Sequence, residues 1–352
     1  MPERRVIGWD VGGAHVKAAL LERGEVLDAA QWPCPLWQGM EHLDHAVQTA
    51  RARWPRLGEY RHAVTMTGEM VDLFAHREDG VRRIAALLAR ALPAPRFFAA
   101  DAGWCGAEQA GARWQQVASA NWLATAQHTA TALDVQEGVL IDIGSTTTDL
   151  IGFRDRRVLS RSRTDAQRLE HSELVYQGVV RTPLCALARR IAWRGTQLNV
   201  MNEFFATSAD VYRLTGELDP AHDQHPSADH AAKDAPATCT RLARMIGLDA
   251  RDASADEWLA FAHAWRTQQL DELRAQLARV QARLGLRTPT PLVGAGCGAF
   301  LLPELAPSGA RCMYYGRDVA HTASQAPPGT AAWAQVGAAA VAVAALFERE
   351  PR

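Results

Sequence analysis

Residues 140–150 read Leu-Ile-Asp-Ile-Gly-Ser-Thr-Thr-Thr-Asp-Leu, and this stretch decides the fold of the chain. An apolar run brings Asp142 to the end of a predicted strand, and a small, hydroxyl-rich turn follows before the chain becomes apolar again at Leu150. Small residues let backbone N–H groups approach an anion closely, and the hydroxyl groups are further donors. The stretch therefore predicts a hairpin whose turn binds phosphate through Gly144, Ser145, Thr146 and Thr147.

The start of the chain repeats the pattern, since residues 7–20 read Ile-Gly-Trp-Asp-Val-Gly-Gly-Ala-His-Val-Lys-Ala-Ala-Leu. Aligning the two acidic residues brings these pairs into register without a gap: Asp10 on Asp142, Gly12 on Gly144, His15 on Thr147 and Lys17 on Asp149. Two matching turns indicate an internal duplication, in which each half contributes one hairpin to a shared cleft. The predicted phosphate-binding residues of the first hairpin are Gly12, Gly13 and Ala14.

The bulk composition narrows the class of protein. The length of 352 residues favours about two domains, and the formal net charge of −1 gives no electrostatic reason to expect nucleic acid or an anionic membrane as partner. No stretch resembles a signal peptide or a membrane span, so a cytoplasmic protein is expected. The six cysteines include no Cys-x-x-Cys pair, which argues against a zinc ribbon or a thioredoxin-type redox site.

Two alanine-rich helices are predicted, over residues 117–133 and 331–347, and they are a second sign of duplication because one belongs to each half. Further helices are predicted over residues 39–54 and 80–92. The resulting domain prediction is an N-terminal lobe over residues 1–135, a C-terminal lobe over residues 136–330 with an insertion at about 160–290, and a closing helix over residues 331–352.

A possible binding loop follows the strand predicted over residues 62–67, where Thr-Gly-Glu-Met-Val-Asp leads directly into a predicted helix. Backbone N–H groups at a helix N-terminus point toward a ligand, so this junction can bind substrate. The alternative is that Thr67 only caps the helix. The candidate substrate-binding residues of this loop are Thr67, Gly68, Glu69 and Asp72.

A Gly-rich turn lies within residues 291–302, between a predicted short strand and the start of a helix. Glycines there let the backbone contact a flat ring or a phosphate. The candidate binding residues are Gly294, Gly296, Cys297 and Gly298. Cys297 could also be a nucleophile, but no nearby histidine or asparagine supports that role, and packing is the favoured interpretation.

Residues 219–236 contain His222, His225 and His230 among aspartate, proline and alanine. Histidine and aspartate in one short segment allow a metal site. Their spacing fits no helical metal pair, however, and a flexible polar loop is the favoured interpretation.

The two Asp-x-Gly hairpins, the two small-residue helices and the turn Gly-Ala-Gly-Cys-Gly resemble the actin, sugar-kinase and Hsp70 superfamily. The resemblance implies an α/β fold of two ribonuclease-H-like, actin-like lobes with a ligand cleft between them. Residues 142–149 are similar to the second phosphate loop of the hydantoinase and oxoprolinase branch, with Ser145 where that branch usually has glycine.

A narrower resemblance covers nearly the whole chain. It rests on residues 10–17, 67–72, 117–122, 142–149, 178–183, 202–207 and 210–218. These segments look like a family linked to tetrahydromethanopterin-dependent one-carbon transfer, whose archaeal members make the ether bond of methanofuran. The resemblance implies a transferase, in which the phenol oxygen of a tyramine or tyrosine glutamyl conjugate attacks an aminomethyl-furanmethyl diphosphate and pyrophosphate leaves.

The resemblance also implies roles for the predicted residues. Lys17, the hairpin amides and Mg²⁺ or another divalent cation held by Asp142 or Asp149 would stabilise charge on the departing pyrophosphate. Asp10 is the candidate base for the phenol proton, with His15 as the alternative. The loop after residue 66 would line the cleft and bind the substrate ammonium group. Aromatic residues available for the furan are Trp9, Trp122, Phe204 and Phe205.

Two other functions remain open. One is an ATP-dependent kinase or amide hydrolase, with adenosine against residues 294–298. The other is a non-catalytic nucleotide-binding scaffold or regulator, which would bind ligand without turnover. The expected partners are small-molecule diphosphate and phenolic amine substrates, and assembly into a homo-oligomer is left open.

Overall fold

The computed structural model of the protein describes residues 5–350. Its strands, in chain order, are β1 (Val6–Val11), β2 (His15–Glu22), β3 (Glu25–Pro33), β4 (Arg61–Met66), β5 (Arg96–Phe98), β6 (Trp104–Gly106), β7 (Glu137–Ile143), β8 (Thr148–Arg154), β9 (Arg157–Val158), β10 (Leu174–Val175), β11 (Arg190–Trp193), β12 (Thr196–Asn199), β13 (Leu292–Ala295), β14 (Cys312–Tyr314) and β15 (His321–Thr322). Its α-helices are α1 (Glu41–Arg53), α2 (Arg77–Ala91), α3 (Ala107–Ala110), α4 (Trp114–Val117), α5 (Asn121–Ala132), α6 (Asp165–Glu170), α7 (Leu184–Leu187), α8 (Ser208–Leu214), α9 (Ala235–Arg244), α10 (Ala255–Leu284), α11 (Leu302–Leu305), α12 (Thr330–Val336) and α13 (Ala338–Glu348).

The chain forms two compact units, and each is built from more than one segment. The first unit contains the described residues up to Leu140, residues 151–168 and the described residues from Met313 onward. The second unit contains residues 141–150 and 169–312. The domain prediction assumed continuous segments with boundaries at residues 135 and 330, and the units do not follow those boundaries. Sequence order alone gives no sign that the chain returns to the first unit twice.

A seven-stranded sheet organises the first unit, with strand order β15-β3-β2-β1-β4-β5-β6. Strands β1, β2 and β3 are antiparallel, while β4 runs parallel to β1 and β5 parallel to β4. Every residue of β1 is buried, as expected for a central strand that is covered on both faces. On one face, Ile7, Trp9 and Val11 belong to the core that α1 and α2 cover. This arrangement fixes the first Gly-rich turn at the end of a rigid strand.

Helix α13 covers the other face of β1. A Cβ atom placed on Gly8 would lie 1.9 Å from the Ala340 carbonyl oxygen and 2.9 Å from the Ala344 Cβ, so the helix packs directly on the strand backbone. The prediction of one helix over residues 331–347 is wrong, because the chain breaks at Gly337 into α12 and α13, bent by 94°. Between residues 5 and 350 no single helix meets the length and hydropathy of a membrane span, and α12 and α13 meet them only as this bent pair.

Two other helices begin at different residues from those that the sequence predicts. After residue 67 the chain makes only a 3₁₀ turn, Gly68–Met70, and the long helix α2 begins at Arg77. The helix predicted from residue 117 begins at Asn121, because Ser119 has a φ of +50° and cannot continue a right-handed helix. Both differences lie beside the predicted binding loop.

The second sheet is built on the hairpin of β7 and β8, with strand order β10-β8-β7-β13-β14 and β9 paired to β8. In the second unit the longest element is α10, which begins with a capping box of Ser254 and Glu257 and is capped after Leu284 by Gly285 in a left-handed conformation. Its buried stripe includes Leu270 and Leu277, as the three-then-four spacing predicts.

Candidate active site

The turns of the two hairpins close with equivalent hydrogen bonds. In the first, the Gly12 N–H donates to the His15 carbonyl over 2.9 Å, and in the second the Gly144 N–H donates to the Thr147 carbonyl over 2.8 Å. The predicted alignment places these residues in register. The duplication of the hairpin is therefore confirmed at the level of its turn.

Asp10 and Lys17 face each other across the first hairpin. They are register partners on β1 and β2, and the Lys17 Nζ lies 3.7 Å from the Asp10 Oδ2. Burial raises the pKa of the Asp10 carboxyl, and the Lys17 charge acts in the opposite direction. His15 is 5% exposed and Ala14 6%, so the predicted residues of this hairpin form a packed group rather than an open loop.

The loop of residues 67–72 packs directly against this turn. A Cβ atom on Gly68 would lie 3.2 Å from the Gly12 carbonyl carbon, and one on Gly13 would lie 2.6 Å from the Val71 Cγ1. Thr67 makes no side-chain capping hydrogen bond to the short helix that follows, which removes the interpretation of Thr67 as a cap. Asp72 is exposed, whereas Glu69 is buried. The structure thus brings the predicted loop and the first hairpin together.

Glu69 is the unusual member of this loop. Its side chain is 1% exposed, and its Oε1 accepts a hydrogen bond of 2.7 Å from the Ser119 hydroxyl. The other carboxyl oxygen, Oε2, is buried and has no hydrogen-bond partner among residues 5–350. Burial raises the pKa of Glu69 to about 7, although the Ser119 hydrogen bond and the Arg77 charge act to lower it. A carboxyl group with such a pKa can accept or donate a proton near neutrality.

A cavity of about 660 Å³ lies in the first unit beside Ser119. Its walls include Trp114, Trp122 and Leu123, and its charged residues include Arg77, Arg163 and Asp165. Asp165 holds Arg77 in an ion pair, and the Arg168 guanidinium stacks on the Trp122 ring at 4.6 Å. Trp122 was predicted from the sequence as an available aromatic residue. The cavity itself could not be predicted, because the walls of the cavity come from distant segments of the chain.

In the second unit the Gly-rich turn of residues 294–298 supports the second hairpin. The Gly298 N–H donates to the Ile143 carbonyl over 2.8 Å. Gly296 has a φ of +79°, and a Cβ atom there would lie 2.2 Å from the Ile143 carbonyl oxygen and 2.6 Å from the Asp142 Oδ1. Only glycine allows this close approach. Gly294 is buried on β13, Cys297 is half-buried with no disulfide, and the turn lies against the strand that carries Asp142.

Arg181 is a candidate phosphate ligand to which the sequence assigned no role. Its backbone N–H donates to the Ser145 carbonyl over 2.8 Å, and its Nη1 lies 3.3 Å from the Thr146 Oγ1. Burial lowers the pKa of the guanidinium, which nevertheless stays charged at neutral pH. The signal was present in the motif Gly-Val-Val-Arg-Thr-Pro of residues 178–183, where a Cβ on Gly178 would lie 2.5 Å from the Thr146 nitrogen.

The carboxylates predicted to hold a metal differ in exposure. Asp142 is partly exposed at the end of β7, whereas Asp149 is 7% exposed and its backbone pairs with Leu174. The described part of the chain contains no group of three or more histidine, cysteine, aspartate or glutamate residues that could hold a metal ion. A Mg²⁺ ion normally keeps several waters and takes one or two carboxylates together with phosphate oxygens, and Asp142 fits that requirement.

Residues 219–236 form neither a metal site nor a loose loop. Asp223 pairs with Arg213 over 2.6 Å and with Lys233 over 3.1 Å. Arg241, which is fully buried, pairs with Asp210 over 2.6 Å and with Asp229 over 3.1 Å. The acidic residues of this segment therefore anchor it to α8 and α9, and within the described residues its histidines form no metal-binding group.

Comparison with known proteins gives the family. Residues 61–328 match the sequence profile of hydantoinase/oxoprolinase. The chain belongs to that family. This hydantoinase/oxoprolinase family member is 29% identical over 282 residues to the (4-{4-[2-(gamma-L-glutamylamino)ethyl]phenoxymethyl}furan-2-yl)methanamine synthase of Methanocaldococcus jannaschii, across 80% of this chain and 83% of that one. The synthase of the same name from Methanococcus vannielii is 30% identical over 166 residues, which are 47% of this chain and 73% of that one.

The fold of this hydantoinase/oxoprolinase family member also has a solved counterpart. An acetone carboxylase structure superimposes with a TM-score of 0.57 over 96% of this chain and 70% of that one, at 11% identity. At such identity the likeness concerns the fold alone. The predicted α/β fold of the actin-like class is confirmed.

Proposed function

We propose that this protein forms an aryl-furanmethyl ether. The phenol oxygen of a tyramine or tyrosine glutamyl conjugate attacks the methylene carbon of an aminomethyl-furanmethyl diphosphate. The new carbon–oxygen bond forms as the bond from carbon to the diphosphate breaks, and pyrophosphate leaves with the electron pair. Pyrophosphate leaves readily only where its developing charge is stabilised.

One observation carries the proposal. Two relatives at 29% and 30% identity have a name that describes a phenoxymethyl furan with an amine and a γ-glutamyl group. The fold by itself would not support any particular chemistry, because one fold serves many functions. The proposal includes a place in methanofuran biosynthesis, within one-carbon metabolism, and a cytoplasmic location.

Basic residues and backbone amides suit the departing pyrophosphate. Lys17 lies on β2 of the first hairpin, and Arg181 lies in the segment of residues 178–183, where its Nη1 is 3.3 Å from the Thr146 Oγ1 of the second hairpin. Charges and oriented dipoles held in a partly buried site stabilise developing charge better than the same groups in water. We therefore assign phosphate binding to each turn by itself, with Lys17 as the charged ligand of the first turn and Arg181 as the charged ligand of the second.

A divalent cation is part of the proposal. Asp142 is the residue that would hold it, and Asp149 is the second predicted ligand. When bound, the cation supplies additional positive charge to the phosphate oxygens. Asp10, predicted as the base, has a second task here because its carboxylate positions the Lys17 ammonium at 3.7 Å.

The test is a direct assay of the purified protein. We expect incubation with a synthetic aminomethyl-furanmethyl diphosphate, γ-glutamyltyramine and Mg²⁺ to give the ether, detected by mass, and one pyrophosphate per ether without any ATP. The tyrosine conjugate is assayed in parallel to identify the acceptor. Absence of the ether with both acceptors would contradict the proposal.

The family match favours a second candidate, an ATP-dependent amide hydrolase. Residues 61–328 match a profile that is named for hydantoinases and oxoprolinases. This candidate predicts that the protein converts ATP to ADP and phosphate in the presence of a cyclic amide. Ether formation without ATP and a lack of ADP formation would exclude it.

A further inference from the structure

The cavity beside Ser119 combines a buried end with an exposed, charged rim. At the rim, Arg163 and Asp101 form an ion pair of 2.7 Å, with side chains 48% and 62% exposed. Ser119, which also lines the cavity, is 8% exposed and therefore marks its buried part. The formal charges of the lining residues cancel, because two are arginines and two are aspartates: Arg77, Arg163, Asp101 and Asp165. The cavity therefore suits a neutral or zwitterionic molecule better than a diphosphate.

The size and walls of the cavity suit a small aromatic molecule. Its volume of about 660 Å³ lies in the range of about 300–1,000 Å³ that is usual for small-molecule sites. Trp114 and Trp122 offer aromatic surface, and the stacked Arg168 keeps the Trp122 ring in place. A flat ring can pack against these side chains.

The buried end of the cavity holds a polar pair that the packing does not explain. Ser119 adopts a φ of +50°, which is strained for a residue other than glycine, and its hydroxyl donates to the buried Glu69. Glu69 lies against Gly80 of α2, where a Cβ atom would come within 2.5 Å of the Glu69 carbonyl oxygen. A strained residue that binds a buried carboxyl group with one unpartnered oxygen is typical of a functional site.

This pair lies close to the first hairpin. The loop that carries Glu69 begins with Gly68, whose Cβ position would be 3.2 Å from the Gly12 carbonyl oxygen. All of these groups belong to the first unit. A molecule bound in the cavity with one end at Ser119 would therefore have that end near the turn to which phosphate binding is assigned.

We infer that this cavity binds the phenolic acceptor, with the phenol at Ser119 and the amino-acid head of the γ-glutamyl group at Arg163 and Asp101, and that the Ser119–Glu69 pair accepts the phenol proton. The inference rests on the proposed function and assigns to Glu69 the role that the sequence gave to Asp10. An α-carboxylate pairs with the Arg163 guanidinium and an α-ammonium with the Asp101 carboxylate. The ring lies against the tryptophans.

The proton moves in two coupled steps. The phenol O–H proton passes to the Ser119 Oγ while the Ser119 hydroxyl proton passes to the Glu69 Oε1. The phenolate oxygen bonds to the furanmethyl carbon, and the electron pair of the broken bond leaves with pyrophosphate. Glu69 ends protonated and returns its proton to solvent after product release. Burial is the main cause that raises the pKa of Glu69; the Ser119 hydrogen bond and the Arg77 charge lower it, and the Asp165 charge raises it.

Acceptor binding tests the first part of the inference. By titration calorimetry, we expect Arg163→Met to weaken binding of γ-glutamyltyramine about tenfold or more, since a charge-assisted hydrogen bond is lost. Binding of tyramine, which lacks the glutamyl group, should not change. The control is Arg56→Met, because Arg56 makes a matching surface ion pair of 2.7 Å with Glu59 at similar exposure. Equal affinities for γ-glutamyltyramine in both variants would overturn the assignment.

Proton transfer tests the second part. We expect Glu69→Gln to lower kcat by about 10²–10⁴-fold with little change in acceptor affinity, as is usual for loss of a general base. A ring-fluorinated acceptor whose phenol is already ionised near pH 8 should restore most of the rate, because it needs no base. Asp10→Asn should show no such rescue. Rescue of Asp10→Asn alone would return the role of base to Asp10.

Ser119→Gly separates chemistry from folding. Glycine adopts a φ of +50° without strain, and this relief offsets the cost of losing the hydrogen bond to Glu69, so the variant should still fold while it lacks the hydroxyl. We expect a fall in kcat similar to that of Glu69→Gln, and an unchanged rate would overturn the relay. If the natural protein forms no ether, the proposed function fails by itself, and the titration of Arg163→Met then decides the inference.

Discussion

Replacing Gly296 with alanine should damage both the stability and the activity of the protein. The position has a φ of +79°, and the new methyl group would lie 2.2 Å from the Ile143 carbonyl oxygen and 2.6 Å from the Asp142 Oδ1. A left-handed conformation costs alanine about 1–2 kcal/mol, and overpacking against the backbone adds about 1–3 kcal/mol. The strand that carries Asp142 must shift to make room.

Gly309 provides a matched control. Its φ is +80°, and a Cβ atom there would meet only the Pro289 Cγ at 3.8 Å, which is an ordinary contact. Gly309→Ala therefore keeps the conformational cost of about 1–2 kcal/mol and lacks the collision. The difference between the two variants isolates the effect of the Gly-rich turn on the second hairpin.

The free energy of unfolding in urea and the rate of pyrophosphate release measure the two effects. We expect Gly296→Ala to lose about 1–3 kcal/mol more than Gly309→Ala. We also expect its rate to fall at least about tenfold, as misplacement of catalytic groups does, while Gly309→Ala keeps the natural rate. If both variants lose the same stability and keep the same rate, the turn does not support the hairpin as described.

The following variants test other parts of the structure. His62 is neutral, because its Nδ1 accepts from the Trp9 indole N–H over 3.1 Å and burial lowers its pKa to about 4. In the unfolded protein His62 takes up a proton below about pH 6.5, so the free energy of unfolding should fall by up to about 3 kcal/mol between pH 6.5 and 4. Urea unfolding at several pH values should show a smaller fall for His62→Gln than for the natural protein. Arg241→Met removes this partner from Asp210 and Asp229 and should lower the free energy of unfolding by about 3–5 kcal/mol. The control Arg251→Met removes a surface ion pair with Asp249 and should lower it by less than about 1 kcal/mol. Equal losses in the two variants would contradict the role of the buried pair. Arg181→Met should weaken pyrophosphate binding about tenfold or more, measured by product inhibition, whereas Arg190→Met, at an exposed residue of β11, should leave it unchanged.

The hairpins could be predicted because their signal is local. Asp-x-Gly turns between apolar runs determine where each strand ends, and the closing bonds from Gly12 to His15 and from Gly144 to Thr147 follow from the spacing alone. The strands and most helices are set in the same way by the pattern of apolar residues. The local pattern of residues is therefore enough to predict the hairpins, the other strands and most of the helices.

The cavity and its polar pair could not be predicted, because they depend on contacts between distant segments. Ser119 lies in an alanine-rich stretch that favours helix, and only its hydrogen bond with Glu69, 50 residues earlier, gives it a reason to leave the helical conformation. Gly337 is a similar case. An isolated glycine in a helical pattern is tolerated, and the break occurs where the chain passes Lys17, whose Cβ would be 3.7 Å from a Cβ on Gly337.

The position of the C-terminal segment has a consequence for synthesis of the protein. Helix α13 covers Gly8, and β15 extends the first sheet beside β3. While the ribosome is still translating, the nascent N-terminal strands thus lack both a cover and a neighbouring edge strand. Apolar surface that stays uncovered in this way is prone to aggregation and is bound by chaperones. Loss of α13 and β15 would consequently harm strands that are made much earlier in translation.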